Sequence, residues 1–256
     1  MLGMFSLKEK VAIVTGSARG IGQAYAIALA EAGASLVLVD ILEDNLKDTA
    51  AKIKEATGTE VKLYGIDVTD SEKIQTMVDE VETTFGKIDI LVNNAGINAP
   101  KPFREVTEED WKKIIGVNLN SQFLMSKAVV EKMIPRNYGK IINMASVGGF
   151  MALSDTAPYN ASKGGVLQLT KTMAADLSEY NLNINAICPG FIDTGLLKSS
   201  KARDERLEKV LNNTPLNRLG SPKDLIGACV FLASDASGYM TGTQIVVDGG
   251  MSAVAM

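Results

Sequence analysis

The chain contains no histidine. Acid–base chemistry near neutral pH must therefore proceed without the side chain whose ordinary pKa lies there. There are two cysteines, Cys188 and Cys229. They form neither a disulfide framework nor a zinc spacing, and without histidine the sequence argues against a transition-metal site. No long basic tract occurs, and 26 Lys and Arg against 30 Asp and Glu leave a net charge of −4. That charge pattern speaks against nucleic acid or an anionic membrane surface as a partner. No apolar run reaches the roughly 18 residues of a membrane span. The apolar stretch at the start gives way to Lys8-Glu9-Lys10, too early for a secretory signal, so the cytoplasm is the expected location.

The remaining composition is ordinary for a globular chain: 46% apolar and 22% charged over 256 residues. Neither a repeat nor a linker interrupts it, so 1–256 reads as one domain. Short apolar runs suggest strands at 11–15, 35–39, 61–66, 88–92, 140–144, 183–187 and 243–247. Amphipathic runs suggest helices at 21–32, 43–56, 70–85, 107–133 with a break near Gly116, 159–180 and 222–233. Continuous Val, Ile and Leu in the strands imply cover on both faces. The expected fold is α/β: a doubly wound, Rossmann-like parallel sheet of about seven strands flanked by helices. Residues 191–214 are polar, charged and poorly periodic, and read as a mobile substrate lid.

One cluster suits acid–base work without histidine. Tyr159 and Lys163 stand four residues apart on an expected helix, thirteen and more residues after Ser146. At that spacing they share a helix face. A cation one turn away favours a phenolate, so Lys163 is expected to lower the Tyr159 pKa from about 10. The Ser146 hydroxyl can share and orient a substrate oxygen.

A second cluster suits a dinucleotide. The first strand leads into Thr15-Gly16-Ser17-Ala18-Arg19-Gly20-Ile21-Gly22. Gly16 permits a tight turn, Gly20 clears a path for pyrophosphate beside Arg19 and Ile21, and Gly22 allows close helix packing. The helix start then offers free amides to the phosphates. Taken alone, the pattern also fits an ordinary strand–turn–helix. Asp40 closes the second strand, where a carboxylate binds ribose hydroxyls and repels a 2′-phosphate, which points to NAD over NADP. Arg19 pulls toward NADP. Asp67 and Val68 are positioned to cradle adenine, although Asp67 also reads as a cap for the next helix.

Together these residues resemble the classical short-chain dehydrogenase/reductase family. The resemblance spans Leu7 to Gly250 and includes Asn93-Asn94-Ala95-Gly96, Asn118, Ser146, Tyr159, Lys163, Pro189-Gly190 and Thr194. It implies Tyr159 as the general acid in reduction and the base in oxidation. Lys163 would tune Tyr159 and bond the nicotinamide ribose, and Asn118 would position a relay water. Asn94, Ala95 and Gly96 would line the cofactor channel. Pro189, Gly190, Ile192 and Thr194 would enclose the nicotinamide. The implied activity is hydride transfer between a secondary alcohol and a ketone, and relatives are commonly homotetramers. The apolar end at 251–256 suits a subunit interface or cover of its own subunit.

Substrate choice is expected from 147–151, from 97–103 and from the lid. An anionic substrate would pair with Lys101 or with a lid cation among Lys198, Lys201, Arg203 and Arg206; the plain alternative is that these charges are solvated. The runs at 133–141 and 247–251 look like the gluconate 5-dehydrogenase branch, which implies a sugar acid or polyol. A 3-oxoacyl thioester is the alternative, disfavoured by Asp40 and by the helix after Lys163, which presents Ala175, Asp176, Glu179 and Tyr180 and would give an acidic carrier protein little help. A steroid or small aliphatic alcohol also fits. A non-catalytic dinucleotide sensor is a further alternative, at odds with an intact set of four catalytic residues.

Overall fold

The computed structural model describes residues 2–194, 208 and 210–254. Most of the expected lid, at 195–207 and 209, lies outside the described residues. Seven strands form one parallel sheet: Val11–Thr15 (β1), Ser35–Asp40 (β2), Val61–Gly65 (β3), Ile90–Asn93 (β4), Gly139–Met144 (β5), Leu182–Pro189 (β6) and Gln244–Val247 (β7). Their order is β3-β2-β1-β4-β5-β6-β7. Helices among the described residues include Gly20–Glu31 (α1), Glu43–Thr57 (α2), Ser71–Phe85 (α3), Glu108–Ile115 (α4), Ser121–Met133 (α5), Ala157–Asp176 (α6) and Lys223–Ala233 (α7).

Strand periodicity of two divides the side chains between two cores. Ala12, Val14, Leu36 and Leu38 pack with Leu29 of α1, Leu46 of α2 and Leu225 of α7. Ile13, Val37 and Val39 pack with Ile74 of α3, Val129 of α5 and Ala174 of α6. Fully burying one such side chain stabilises the fold by about 1.5–3 kcal/mol. Every residue of β1, β4 and β5 is buried. The expectation of cover on both faces fails at the two edges, where Leu63 of β3 and Val246 of β7 are exposed. An edge strand lacks a neighbour on one side, and the flanking helices do not reach across it.

The helical run at 107–133 is interrupted where glycine suggested it. Residues Gly116–Asn120 form a π turn between α4 and α5, a geometry that recurs at functional sites. The expected 159–180 helix instead stops at Asp176, and a 3₁₀ turn at Ser178–Tyr180 runs into Asn181 in the left-handed region. Beyond β7, Met251 is buried within its own subunit while Val254 is exposed. No helix among the described residues is long and apolar enough to cross a membrane.

The start of α4 is fixed by a capping box: Thr107 Oγ1 accepts from the Asp110 amide, and the Asp110 carboxylate accepts from the Thr107 amide. Lys101 also donates to Asp110, and with the Thr107 bonds holds its carboxyl at about 2. The unfolded chain has this group near 3.9. Its contribution to stability is therefore complete above about pH 4 and is lost as pH falls through about 2. Urea titrations should show Asp110→Asn less stable than wild type at neutral pH, the gap closing toward pH 2. Thr107→Ala should cost about 1 kcal/mol in the same assay.

Candidate active site

The sheet order reverses between β1 and β4, which are neighbours although far apart in sequence. The chain after β1 goes to one face and the chain after β4 to the other, so a crevice opens at their carboxyl ends. Thr15, the last residue of β1, ties its walls together. Its Oγ1 accepts from the amides of Asn94 and Ala95, each at 3.0 Å, and donates to the Val92 carbonyl at 3.4 Å. Asn94 returns the contact, its Nδ2 donating to the carbonyls of Thr15 (3.0 Å) and Gly16 (3.1 Å). Gly16 has φ of 65°, and a Cβ there would lie 2.8 Å from Ala95 Cα. A Cβ on Gly22 would collide with the Gly16 carbonyl oxygen. Both glycines thus serve the close approach of the turn to the loop after β4.

Beyond the turn, α1 begins at exposed Arg19 without a side-chain cap. The amides of its first turn lack that partner, and Gly20 leaves open space bounded by the Thr194 side chain at 3.5 Å. Ile21 packs against the first core. Asp40 Oδ2 accepts from the Ala18 amide and Oδ1 from the Leu42 amide, both at 3.1 Å. An uncapped helix start, a missing side chain and a carboxylate at the second strand's end fit a dinucleotide laid across the crevice. Val68 is buried in the second core. Asp67 is not the cap of α3. It accepts from Thr69 N and Oγ1 within its own turn, and Asp70 caps the helix through the Lys73 amide.

At the far side, Pro189 ends β6 and the Gly190 amide donates to the Val247 carbonyl at 3.0 Å. Ile192 pairs with Gly220 in a parallel bridge. A cavity of about 140 Å³ here is lined by Phe191, Ile192, Leu216, Arg218 and Asp248 among others.

The four expected catalytic residues converge at the end of β5. Ser146 is buried, and its Oγ accepts from the Gly148 amide at 3.1 Å. Lys163 Nζ donates to the Met144 carbonyl at 2.6 Å and lies 5.7 Å from the Tyr159 ring centroid. Asn118 sits in the π turn with its carboxamide clasping Ile97, Oδ1 accepting from the amide at 2.8 Å and Nδ2 donating to the carbonyl at 2.9 Å. A Cβ on Gly96 would come within 3.4 Å of Asn118 Oδ1 and 3.7 Å of Lys163 Nζ, so the loop after β4 closes over both groups.

The electrostatics differ from the expectation. Burial raises the Tyr159 pKa, with the Ser146 hydroxyl opposing it. Burial also pushes Lys163 down to about 8. The amine is turned to the Met144 carbonyl, and its charge is itself disfavoured, so it does not depress the phenol. Lys101 is likewise not a waiting cation, because Asp110 already binds it. The sequence does not mark the tie made by Thr15, the Ser17 hydroxyl that accepts from the Val39 amide, the Thr49 hydroxyl that donates to the Ser17 carbonyl, or the Gln122 amide that donates to the Met144 carbonyl. Buried hydroxyls and amides such as these carry no periodic signal and are recognised only by what they join.

The family model described as enoyl-(acyl carrier protein) reductase matches residues 16–252. A 2-dehydro-3-deoxy-D-gluconate 5-dehydrogenase of Pseudoalteromonas atlantica is 42% identical over 98% of this chain and 98% of its own. A 3-oxoacyl-(acyl-carrier-protein) reductase of Thermotoga maritima is 40% identical over 96% and 98%. The chain belongs to the short-chain dehydrogenase/reductase family. A solved gluconate 5-dehydrogenase of Burkholderia cenocepacia, in complex with NADP and tartrate, superposes with a TM-score of 0.92 at 38% identity, covering 99% of each chain. This short-chain dehydrogenase/reductase is thus an oxidoreductase with a dinucleotide-binding fold.

Because the turn of this reductase-family fold admits no Cβ at position 22, Gly22→Ala should destabilise it by about 1–3 kcal/mol. Thermal melts and NADH titration check this. The variant should melt lower and bind dinucleotide more weakly.

Proposed function

We propose that the protein interconverts a secondary alcohol and a ketone, with NAD as cofactor and a sugar acid or polyol of the gluconate type as substrate. The observation that carries the reaction is the convergence of Ser146, Tyr159, Lys163 and Asn118 beside the crevice. A bound nicotinamide dinucleotide would supply or accept the hydride. Gly16, Arg19, Gly20, Ile21 and Gly22 would hold its pyrophosphate, and Asp40 its adenosine ribose. Asp67 and Val68 would border the adenine, and Asn94, Ala95 and Gly96 the channel. Pro189, Gly190, Ile192 and Thr194 would enclose the nicotinamide.

The chain's own residues handle the proton. The phenol of Tyr159, its pKa raised by burial, is held protonated and suits donation to a carbonyl oxygen. Ser146 donates to the same oxygen and steadies developing charge there. Lys163, with a pKa of about 8, can return a proton to the phenol. The Asn118 side chain is spent on Ile97, so its part in a relay falls to its main chain. We read 1–256 as one catalytic domain with a lid at 191–214. The cytoplasm suits its two free, buried cysteines. The exposed Trp111 and Phe123 on α4 and α5 support assembly into a homotetramer.

The relatives named above support a sugar acid, while the 40% identity to a 3-oxoacyl reductase keeps a thioester as second reading. Exposed Asp176 at the end of α6 and Glu179 just beyond it oppose an acidic carrier protein. Asp40 supports NAD, although the solved relative holds NADP.

A panel of gluconate, other sugar acids, polyols, acetoacetyl thioester and secondary alcohols should be assayed with NAD and with NADP. Gluconate-type turnover with NAD is expected, and turnover of the thioester alone would refute the substrate assignment. Tyr159→Phe should lose at least about a hundredfold in kcat while binding NADH normally. Near-normal turnover would remove Tyr159 from the chemistry. Asp40→Ala should narrow the preference for NAD by removing the repulsion of a 2′-phosphate.

A further inference from the structure

Gln122 lies in the first turn of α5 with 1% of its surface exposed. Its Nε2 donates to two carbonyls, those of Asn118 and Met144, each at 3.2 Å. The Met144 carbonyl is the one that also receives Lys163 Nζ. A carboxamide nitrogen carries two hydrogens, so one goes to each carbonyl. Gln122 thereby joins the π turn that bears Asn118 to the strand end that precedes Ser146. Its main-chain carbonyl accepts from Asn93 Nδ2 at 3.5 Å, and its side-chain Oε1 has no partner among the described residues. A buried amide kept with one orphaned oxygen carries a cost, which an apolar side chain of the same shape would avoid.

We propose that Gln122 is a positioning residue for proton exchange at Tyr159 and Lys163, its carboxamide fixing the Asn118 and Met144 carbonyls and limiting the share of the latter left to the Lys163 amine. This rests on the reaction proposed above. Two donors on one acceptor compete for the same electron density. Without the Gln122 N–H, the Met144 carbonyl turns wholly to Lys163 and favours its ammonium form. The titratable groups facing that amine are Tyr159 on its own helix and Cys188 on β6. Among the described residues no carboxylate shifts the amine, so none masks the effect.

The test measures kcat against pH in alcohol oxidation, with gluconate and NAD or the fastest panel substrate. Gln122→Met keeps the shape and removes the donor. Its acidic limb should move to higher pH and its kcat at pH 7 should fall about fivefold to tenfold, with NADH affinity within about twofold. Ser126→Ala is the control, since Ser126 Oγ accepts from Asn93 at 2.9 Å but touches neither carbonyl. It should melt lower and keep the wild-type limb. An unmoved limb in Gln122→Met, or an equal shift in Ser126→Ala, would reduce Gln122 to a structural role and overturn the proposal. If Gln122→Met does not fold, Gln122→Leu decides. It too removes the donor and adds no charge, so the limb must again rise, and a wild-type profile overturns the proposal. Turnover surviving in Tyr159→Phe would instead strike the reaction itself. Loss there, together with an unmoved limb in the Gln122 variants, would strike this inference alone.

Discussion

The Thr15 hydroxyl is the contact on which the site's shape depends. Two adjacent parallel strands send their continuations to opposite faces, and nothing in the sheet itself fixes the gap between those continuations. One oxygen accepting from both Asn94 and Ala95 does so. The Asn94 carboxamide then grips the carbonyls of Thr15 and Gly16, which fixes the turn before α1. From that point rigid elements carry the geometry outward. The turn aims the uncapped α1, and Ala95 leads into Gly96, which covers Asn118 and Lys163. Backbone conformation, phosphate site and proton site thus share one anchor.

Burial acts in opposite senses on the two titrating side chains. It raises the phenol and lowers the amine, so a dry site favours both in their neutral forms. The Ser146 hydroxyl works against this on the phenol, and the Met144 carbonyl offers the amine a partner that suits its charged form. A protein without histidine can therefore still offer a protonated phenol and a neutral amine side by side, with burial widening the difference in their proton affinities. Burial is opposed at the phenol by the Ser146 hydroxyl and at the amine by Cys188.

The parts of this arrangement visible in the sequence are those with a local signature. Central strands announce themselves as apolar runs because both faces are buried, and the glycine turn because only glycine tolerates its approach. The edge strands β3 and β7 read like central ones, since composition does not reveal which strand lacks a neighbour. The interruption at Gly116 was legible, but not that it is a π turn. The Tyr159–Lys163 spacing placed both on one helix face, yet the sign of the phenol shift comes first from burial, to which other elements contribute and which spacing does not reveal. Gln122 was invisible for the same reason: a lone glutamine on a mostly apolar helix face has no pattern until its two acceptors are known.

The substrate walls follow the same logic of contacts between distant segments. Asn160, next to Tyr159, donates to the Leu153 carbonyl and accepts from Thr156, fixing the segment after Ser146. The Asp155 carbonyl accepts from the Lys101 amide, which joins that segment to the loop after β4. Lys101 is then held by Asp110, and Arg218 across the crevice by Asp224. These two cations near the mouth are thus already neutralised by carboxylates. An anionic substrate would have to displace an existing partner from either one, at a cost that offsets the new attraction. Recognition through hydroxyls meets no such penalty. At these two positions, discrimination should therefore lie in how substrate hydroxyls fit walls joined by the Lys101–Asp155 hydrogen bond.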